Sequence, residues 1–118
     1  MSQITTHVLD TALGEPAAGV ALQLFSLAGS EEWIPLAEGV TDGDGRVSDL
    51  LPEEKVLDEG TYRMRFATGS YHESAEQPAA GTAFYPYVDV VFRLEGGGAH
   101  YHIPLLLSPF GFSTYRGS

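Results

Sequence analysis

The sequence predicts an all-β protein, a sandwich of seven to eight strands with one short helix. Apolar side chains recur at every second position in residues 20–25 and 62–66, which is the spacing of a strand with one face in a core. Turn-forming glycine, proline and aspartate separate such runs at short intervals, as in residues 14–16, 42–45 and 95–98. Many short strands divided by turns at this spacing are typical of a β-sandwich.

The helix is expected at about residues 69–75, after a strand that ends near Phe66. His72 lies in this polar segment, and we expect it to be solvated. Further along, residues 87–94 and 100–107 predict two strong strands joined by a glycine-rich turn. These two strands are expected to pair as a hairpin or to pack as neighbours.

Composition limits the classes of function. The 118 residues provide for one domain, residues 1–118, with one hydrophobic core. The formal net charge of -10 argues against nucleic acid and against an anionic membrane as partners. The absence of cysteine excludes a disulfide framework and a thiolate nucleophile or metal ligand. Without a secretory leader or an apolar run of transmembrane length, a cytoplasmic location is expected.

The C-terminal strand carries two histidines on one face. Because side chains alternate across a strand, His100 and His102 share a face with Pro104, while the residues between them form an apolar face. If the apolar face packs in the core, the imidazoles point outward, and a cleft or a subunit interface would explain them. Pro104 lacks a backbone donor and predicts a local irregularity in the pairing of this strand.

Two further candidate residues lie in the N-terminal half. His7 belongs to a first strand at residues 4–9 and shares its face with Thr5; taken alone, such a histidine is more often a surface residue than a functional one. Arg46 follows a glycine turn at the start of a strand, a position that suits presentation of a guanidinium fork to a planar anion.

Other chemistries remain open at this point. A zinc site built from His7, His100 and His102 is one alternative, although short histidine spacings often arise by chance. A covalent mechanism is disfavoured, because no serine lies in a nucleophile-elbow pattern and cysteine is absent.

The motifs of the chain resemble one family over almost the whole length. They are His7-Val8-Leu9-Asp10, Gly14-Glu15-Pro16-Ala17, Val20-Ala21-Leu22, Asp44-Gly45-Arg46, Phe84-Tyr85-Pro86, the segment from His100 to Ser118, and within it the ending Tyr115-Arg116-Gly117-Ser118. This combination resembles the 5-hydroxyisourate hydrolases of the transthyretin-like family, and the ending separates these hydrolases from transthyretin, the hormone carrier of the same fold.

The resemblance implies a transthyretin-like (prealbumin-like) sandwich assembled as a homotetramer, a dimer of dimers with active sites at the subunit interface. It implies hydrolysis of 5-hydroxyisourate, the product of urate oxidase, to 2-oxo-4-hydroxy-4-carboxy-5-ureidoimidazoline in urate (purine) catabolism, without a metal or organic cofactor. The catalytic residues it implies are His7, Arg46, His102 and Ser118, and the substrate-binding residues are Arg46, Tyr115, Arg116, Gly117 and Ser118.

This chemistry is compatible with the side chains present. Imidazoles at His7 and His102 can position and deprotonate water near neutral pH, and either could be the base. Arg46 can bind the planar ring and stabilise negative charge on the attacked carbonyl, while Ser118 can orient a histidine tautomer or the water. The alternatives to an enzyme are a non-catalytic transthyretin-like carrier of a small aromatic ligand and a purely structural or adhesion sandwich.

Overall fold

The computed structural model describes residues 2–74 and 83–117. Its strands are β1 (Ile4–Asp10), β2 (Glu15–Pro16), β3 (Ala21–Ala28), β4 (Glu32–Val40), β5 (Arg46–Val47), β6 (Gly60–Phe66), β7 (Val88–Leu94), β8 (Tyr101–Ser108) and β9 (Gly111–Thr114), and one helix, α1, spans Thr68–Ser74. Two of these strands, β2 and β5, are only two residues long. The prediction of an all-β sandwich with one short helix is confirmed.

Two sheets form the sandwich. One has the strand order β2-β1-β8-β9, with β5 also paired to β1, and the other has the order β4-β3-β6-β7. The pairing of β1 with β8 is parallel, whereas the remaining strand pairs in the described residues are antiparallel. Parallel neighbours require a long connection, and here the whole second sheet lies between β1 and β8 in the chain.

The core between the sheets follows the alternation predicted from the sequence. Val20, Leu22 and Leu24 are buried at β3, and Tyr62, Met64 and Phe66 are buried at β6. From the other sheet, β1 and β8 contribute Ile4, Val8, Tyr101, Ile103, Leu105 and Leu107. Burial of one strand face in each sheet accounts for the stability of such a sandwich through the hydrophobic effect.

Of the two arrangements predicted for the last two strong strands, the hairpin is wrong, whereas residues of both strands line one cleft, as expected of strands that pack as neighbours. β7 is an edge strand of one sheet and β8 is an inner strand of the other. The glycine turn therefore carries the chain from one sheet to the other, and the backbone N–H of Glu95 donates to the hydroxyl of Tyr101 at 2.9 Å across this connection. A glycine-rich turn permits either geometry, so the local sequence does not distinguish them.

The predicted irregularity at Pro104 is present. β8 pairs with β9 from Leu105 onward, and an isolated bridge joins His102 to Gly117, so the ladder is interrupted at Ile103 and Pro104 without a change of register. The Thr114 hydroxyl donates to the Pro104 carbonyl oxygen at 2.6 Å beside this gap. The missing N–H of proline explains the gap.

Helix α1 begins one residue before the predicted start, and Ala75, its predicted end, lies outside the described residues. The Tyr71 hydroxyl donates to the Asp10 carboxylate at 2.7 Å and so ties the helix to the end of β1. His72 is buried, 7% exposed, which corrects the expectation that it is solvated. Its helix packs Thr68, Gly69 and His72 inward, an effect of tertiary packing that the polar local sequence does not indicate.

None of the helical residues in the described ranges forms a segment long and apolar enough to cross a membrane.

Candidate functional site

The two strands that carry the candidate histidines are direct neighbours. In the parallel pair of β1 and β8, Thr5 lies opposite His102 and His7 lies opposite Pro104. Ile4, Thr6 and Val8 of β1 are buried between the sheets, so Thr5 and His7 project from the outer face. His102 projects from that same face, because its neighbours Tyr101 and Ile103 point into the core. The predicted arrangement of faces on both strands is confirmed.

Arg46 is brought to this face by a tight turn. One carboxylate oxygen of Asp42 accepts the backbone N–H groups of Asp44 and Arg46 at 2.9 and 3.0 Å. These two hydrogen bonds hold the pKa of the Asp42 carboxyl below its usual value. Gly45 has a φ of 75°, in the left-handed region, and its carbonyl oxygen accepts the Val8 N–H at 2.7 Å. The turn thereby places Arg46 directly opposite His7 in the pair of β5 with β1.

The Thr5 hydroxyl contacts two histidines, His102 on β8 and His100 in the loop that precedes β8. The hydroxyl oxygen lies 2.9 Å from His100 Nε2 and 2.8 Å from His102 Nδ1. The two imidazole rings are stacked, with centroids 6.5 Å apart and planes 25° apart. The sequence analysis placed Thr5 on the face of His7 but did not assign it a role; its position at i-2 from His7 on the same strand face is the signal that could have found it.

The electrostatic environment of His102 favours the neutral imidazole. Desolvation by burial lowers the pKa of His102 from its ordinary value of 6.5, and the nearby Arg46, His100 and His7 lower it further. A neutral imidazole retains one ring nitrogen with a free lone pair and can accept a proton near neutral pH. With Nδ1 engaged by Thr5, the nitrogen left for the pocket is Nε2.

A pocket of about 270 Å³ opens at this cluster. It is lined by Thr5, Thr6, Arg46, Val47, Ser48, His100 and His102. A larger pocket, of about 710 Å³, lies on the other sheet and is lined in part by Arg65. The guanidinium of Arg65 forms a salt bridge with the Asp89 carboxylate at 2.7 Å and is therefore already paired. The smaller pocket is the one that combines a guanidinium with imidazoles, and we take it as the candidate active site.

The C-terminal residues are only partly brought to this pocket. Gly117 forms a bridge with His102, and its N–H donates to the His102 carbonyl oxygen at 2.9 Å. Tyr115 and Arg116 instead line a separate cleft of about 240 Å³ that also contains Tyr101. There the Arg116 guanidinium lies over the Tyr101 ring, 4.6 Å from its centroid. Ser118 lies outside the described residues.

Gly117 packs directly on the His102 ring. A Cβ atom at this position would lie 2.6 Å from His102 Cδ2, closer than such atoms approach in real proteins. Only glycine therefore fits here without moving the ring. The closing tetrapeptide, Tyr115-Arg116-Gly117-Ser118, therefore contains a glycine with a defined structural role beside His102.

The histidines do not form a metal site. In residues 2–74 and 83–117, no group of three histidine, aspartate or glutamate side chains is arranged to hold a metal ion. The zinc alternative built on His7, His100 and His102 therefore lacks its ligand cluster in this part of the chain.

Comparison with known proteins defines the class. Residues 4–117 match the HIUase/Transthyretin family, and the chain belongs to this family. It is 44% identical over 116 residues to 5-hydroxyisourate hydrolase 2 of Rhizobium meliloti, an alignment that covers 98% of this chain and 96% of the relative.

Solved structures of the family share the fold. Transthyretin from Sparus aurata superposes with a TM-score of 0.86 at 32% identity, covering 99% of this chain and 97% of that one. The 5-hydroxyisourate hydrolase of Klebsiella pneumoniae superposes with a TM-score of 0.78 at 33% identity, covering 98% of both chains. The transthyretin-like sandwich expected from the motifs is therefore confirmed.

Proposed function

We propose that this protein is a 5-hydroxyisourate hydrolase that converts its substrate to 2-oxo-4-hydroxy-4-carboxy-5-ureidoimidazoline in urate catabolism. The observation that carries the proposal is the 44% identity to a 5-hydroxyisourate hydrolase over nearly the full length of both chains. The pocket supports it, because hydrolysis of a cyclic amide needs a base for water and a donor for the developing oxyanion, and His102 and Arg46 provide both.

The reaction proceeds by attack of water on a ring carbonyl. His102 Nε2 takes a proton from the water as its oxygen bonds to the carbonyl carbon, and Arg46 stabilises the negative charge that develops on the carbonyl oxygen. The ring C–N bond then breaks, and the proton held by His102 passes to the leaving nitrogen. His7 lies opposite Arg46 and helps to position the water. The steps consume one water and require no metal or organic cofactor.

The closing tetrapeptide completes the substrate site in this proposal. The contact of Gly117 with the His102 ring supports its inclusion. Tyr115, Arg116 and Ser118 remain predicted substrate-binding residues, and Ser118 remains a predicted catalytic residue that orients a histidine or the water. Ser118→Ala should lower activity, and full activity of that variant would remove the Ser118 hydroxyl from the mechanism.

The proposal includes assembly as a homotetramer, a dimer of dimers with active sites between subunits. β7 and β9 are edge strands of the two sheets, and the cleft at Tyr115 is lined by residues of β7 and by Thr114 of β9. Large apolar side chains are exposed on these two strands, including Val91 at 55% and Phe112 at 41%. Open strand edges with exposed apolar groups favour pairing with a second copy, and a two-fold interface would bury the same surface on both subunits.

A charged substitution tests the assembly. Val91→Asp should reduce the molecular mass measured by sedimentation equilibrium and abolish activity while far-ultraviolet circular dichroism stays unchanged. An active monomer would refute the shared site.

The cytoplasmic location expected from the sequence stays a prediction.

A carrier function is the second candidate. The superposition on transthyretin, with a TM-score of 0.86, favours it, whereas the higher sequence identity to the hydrolase favours catalysis. The decay of freshly generated 5-hydroxyisourate, followed by absorbance with and without protein, separates the two. A hydrolase accelerates the decay in proportion to its concentration, and His102→Ala returns it to the uncatalysed rate; a carrier leaves the rate unchanged.

A further inference from the structure

Two residues of the closing tetrapeptide, Arg116 and Gly117, lie along the start of β8. The bridge between His102 and Gly117 continues the register in which β8 pairs with β9, so Arg116 lies opposite Ile103. The Gly117 N–H donates to the His102 carbonyl oxygen at 2.9 Å. The tetrapeptide is thereby joined to the strand that carries the candidate base.

Side chains of this segment contact β8 on both faces of the sheet. On the outer face, Gly117 packs on the His102 ring and leaves no room for a Cβ. On the inner face, where Ile103 is also buried, the Arg116 guanidinium lies over the Tyr101 ring, 4.6 Å from its centroid. Consecutive residues of an extended segment point to opposite faces, so both contacts form together when the tetrapeptide lies along β8.

The Tyr101 ring is a fixed surface for this contact. Tyr101 is 4% exposed, and its hydroxyl oxygen accepts the Glu95 N–H at 2.9 Å, so both the position and the rotation of the ring are restricted. A guanidinium within about 6 Å of a ring centroid is attracted by the negative face of the ring. Arg116 is itself exposed, and this attraction limits the freedom of its long side chain.

We propose that Tyr101 is a positioning residue that anchors the closing tetrapeptide along β8 by presenting its ring to the Arg116 guanidinium. The anchor keeps Gly117 against the His102 ring, and Ser118 follows Gly117 directly in the sequence. This inference rests on the proposed function for its catalytic consequence, because there the tetrapeptide completes the substrate site. The contact between Tyr101 and Arg116 itself does not depend on the reaction.

Amide hydrogen exchange of Gly117 tests the anchor in the absence of substrate. The Gly117 N–H exchanges when the tetrapeptide leaves β8, so its rate reports the open fraction. Arg116→Gln removes the charge and should speed exchange by about twofold to fivefold, the range of a cation–π contact at an exposed site. Tyr101→Leu removes the aromatic face and should speed it at least as much. Tyr101→Phe keeps the ring and should exchange at the wild-type rate, and Arg116→Lys keeps the charge and should lie between Arg116→Gln and the wild type.

A double variant shows whether the two residues act on each other. If Arg116 acts through the Tyr101 ring, Arg116→Gln adds nothing once Tyr101→Leu has removed that ring, and Gly117 exchanges at the rate of Tyr101→Leu alone. The Val8 N–H, which donates to the Gly45 carbonyl oxygen at 2.7 Å, is the control, because it reports opening of the sheet rather than of the tetrapeptide. Since Arg116 is exposed, Arg116→Gln and Arg116→Lys test the anchor even if Tyr101→Leu does not fold.

Activity provides the second readout. The kcat of Arg116→Gln for 5-hydroxyisourate should fall by at most the factor found in exchange, because turnover needs the anchored tetrapeptide, and Arg116→Lys should restore part of the loss. A direct contact of Arg116 with the substrate would instead raise KM and leave the exchange of Gly117 unchanged.

The proposal is overturned if Gly117 exchanges at the wild-type rate in Arg116→Gln, or if Arg116→Gln speeds exchange equally with and without the Tyr101 ring. These outcomes leave the hydrolase function intact as long as the wild type accelerates decay of 5-hydroxyisourate. A wild type whose variants show the expected exchange rates without any acceleration would instead remove the proposed function and keep the anchor.

Discussion

His7 and Arg46 lie directly opposite each other where the two-residue strand β5 pairs with β1. Directly opposed residues in an antiparallel pair share one face of the sheet, with Cβ atoms about 4.5–5.5 Å apart. The pair therefore places a permanent positive charge next to a titratable imidazole, on the face that also carries His102. In a chain of net charge -10, the Arg46 guanidinium on this face marks where an electron-rich planar ring can bind.

Loss of the Arg46 charge should reduce activity strongly. In Arg46→Gln, kcat/KM for 5-hydroxyisourate is expected to fall by about 10²–10³, the usual effect of removing one donor to a developing oxyanion. Lys55→Gln is the matched control, because Lys55 is exposed and its loss changes the total charge by the same one unit. Equal rates for the two variants would show that Arg46 acts only through the overall charge.

The acid limb of the activity profile should lie below pH 6.5. His102 works as a base in its neutral form, and burial together with Arg46, His100 and His7 lowers its pKa from 6.5. Activity should therefore be retained as the pH falls to 6.5. It should be lost at lower pH, where His102 takes up a proton. In Arg46→Gln, one cation is removed, so the limb of the residual activity should move toward higher pH. Measurement of kcat/KM against pH checks both statements, and a limb above pH 6.5 in the wild type would contradict them.

The sequence predicts which strand face carries each residue of this site better than it predicts which of these residues are in contact. His7, His102 and Arg46 follow from strand alternation and one glycine turn, which are local signals. The contact of Thr5 with His102 joins residues 97 positions apart and depends on the parallel pairing of β1 with β8, which no local pattern specifies. Burial of His72 has the same origin, because it results from packing of α1 against the sandwich.

A methyl group at Gly117 would clash with the His102 ring. Thr5 contacts Nδ1 on the opposite side of the ring, so the ring can move away from the methyl group only by disturbing that hydrogen bond. Gly117→Ala is therefore expected to lower kcat at least tenfold, with a Tm close to that of the wild type. Gly111→Ala is the control in the same C-terminal segment, since a Cβ there meets only the Ser108 hydroxyl at 3.8 Å. If both alanine variants turn over substrate at the wild-type rate, the contact with His102 has no part in catalysis.

The turn before Arg46 should tolerate alanine at one glycine and not at the next. Gly45 has a φ of 75°, and an added Cβ would collide with the backbone carbonyl oxygen of Val8, whereas Gly43 has open space around it. A left-handed conformation alone costs a residue with a Cβ about 1–2 kcal/mol, so Gly45→Ala should lower Tm by roughly 5–10 °C, while Gly43→Ala stays within about 2 °C. Because the same turn sets the pairing of Arg46 with His7, Gly45→Ala should also lose activity at temperatures where it remains folded. A folded Gly45→Ala variant with wild-type kcat/KM would mean that the position of Arg46 does not depend on this turn.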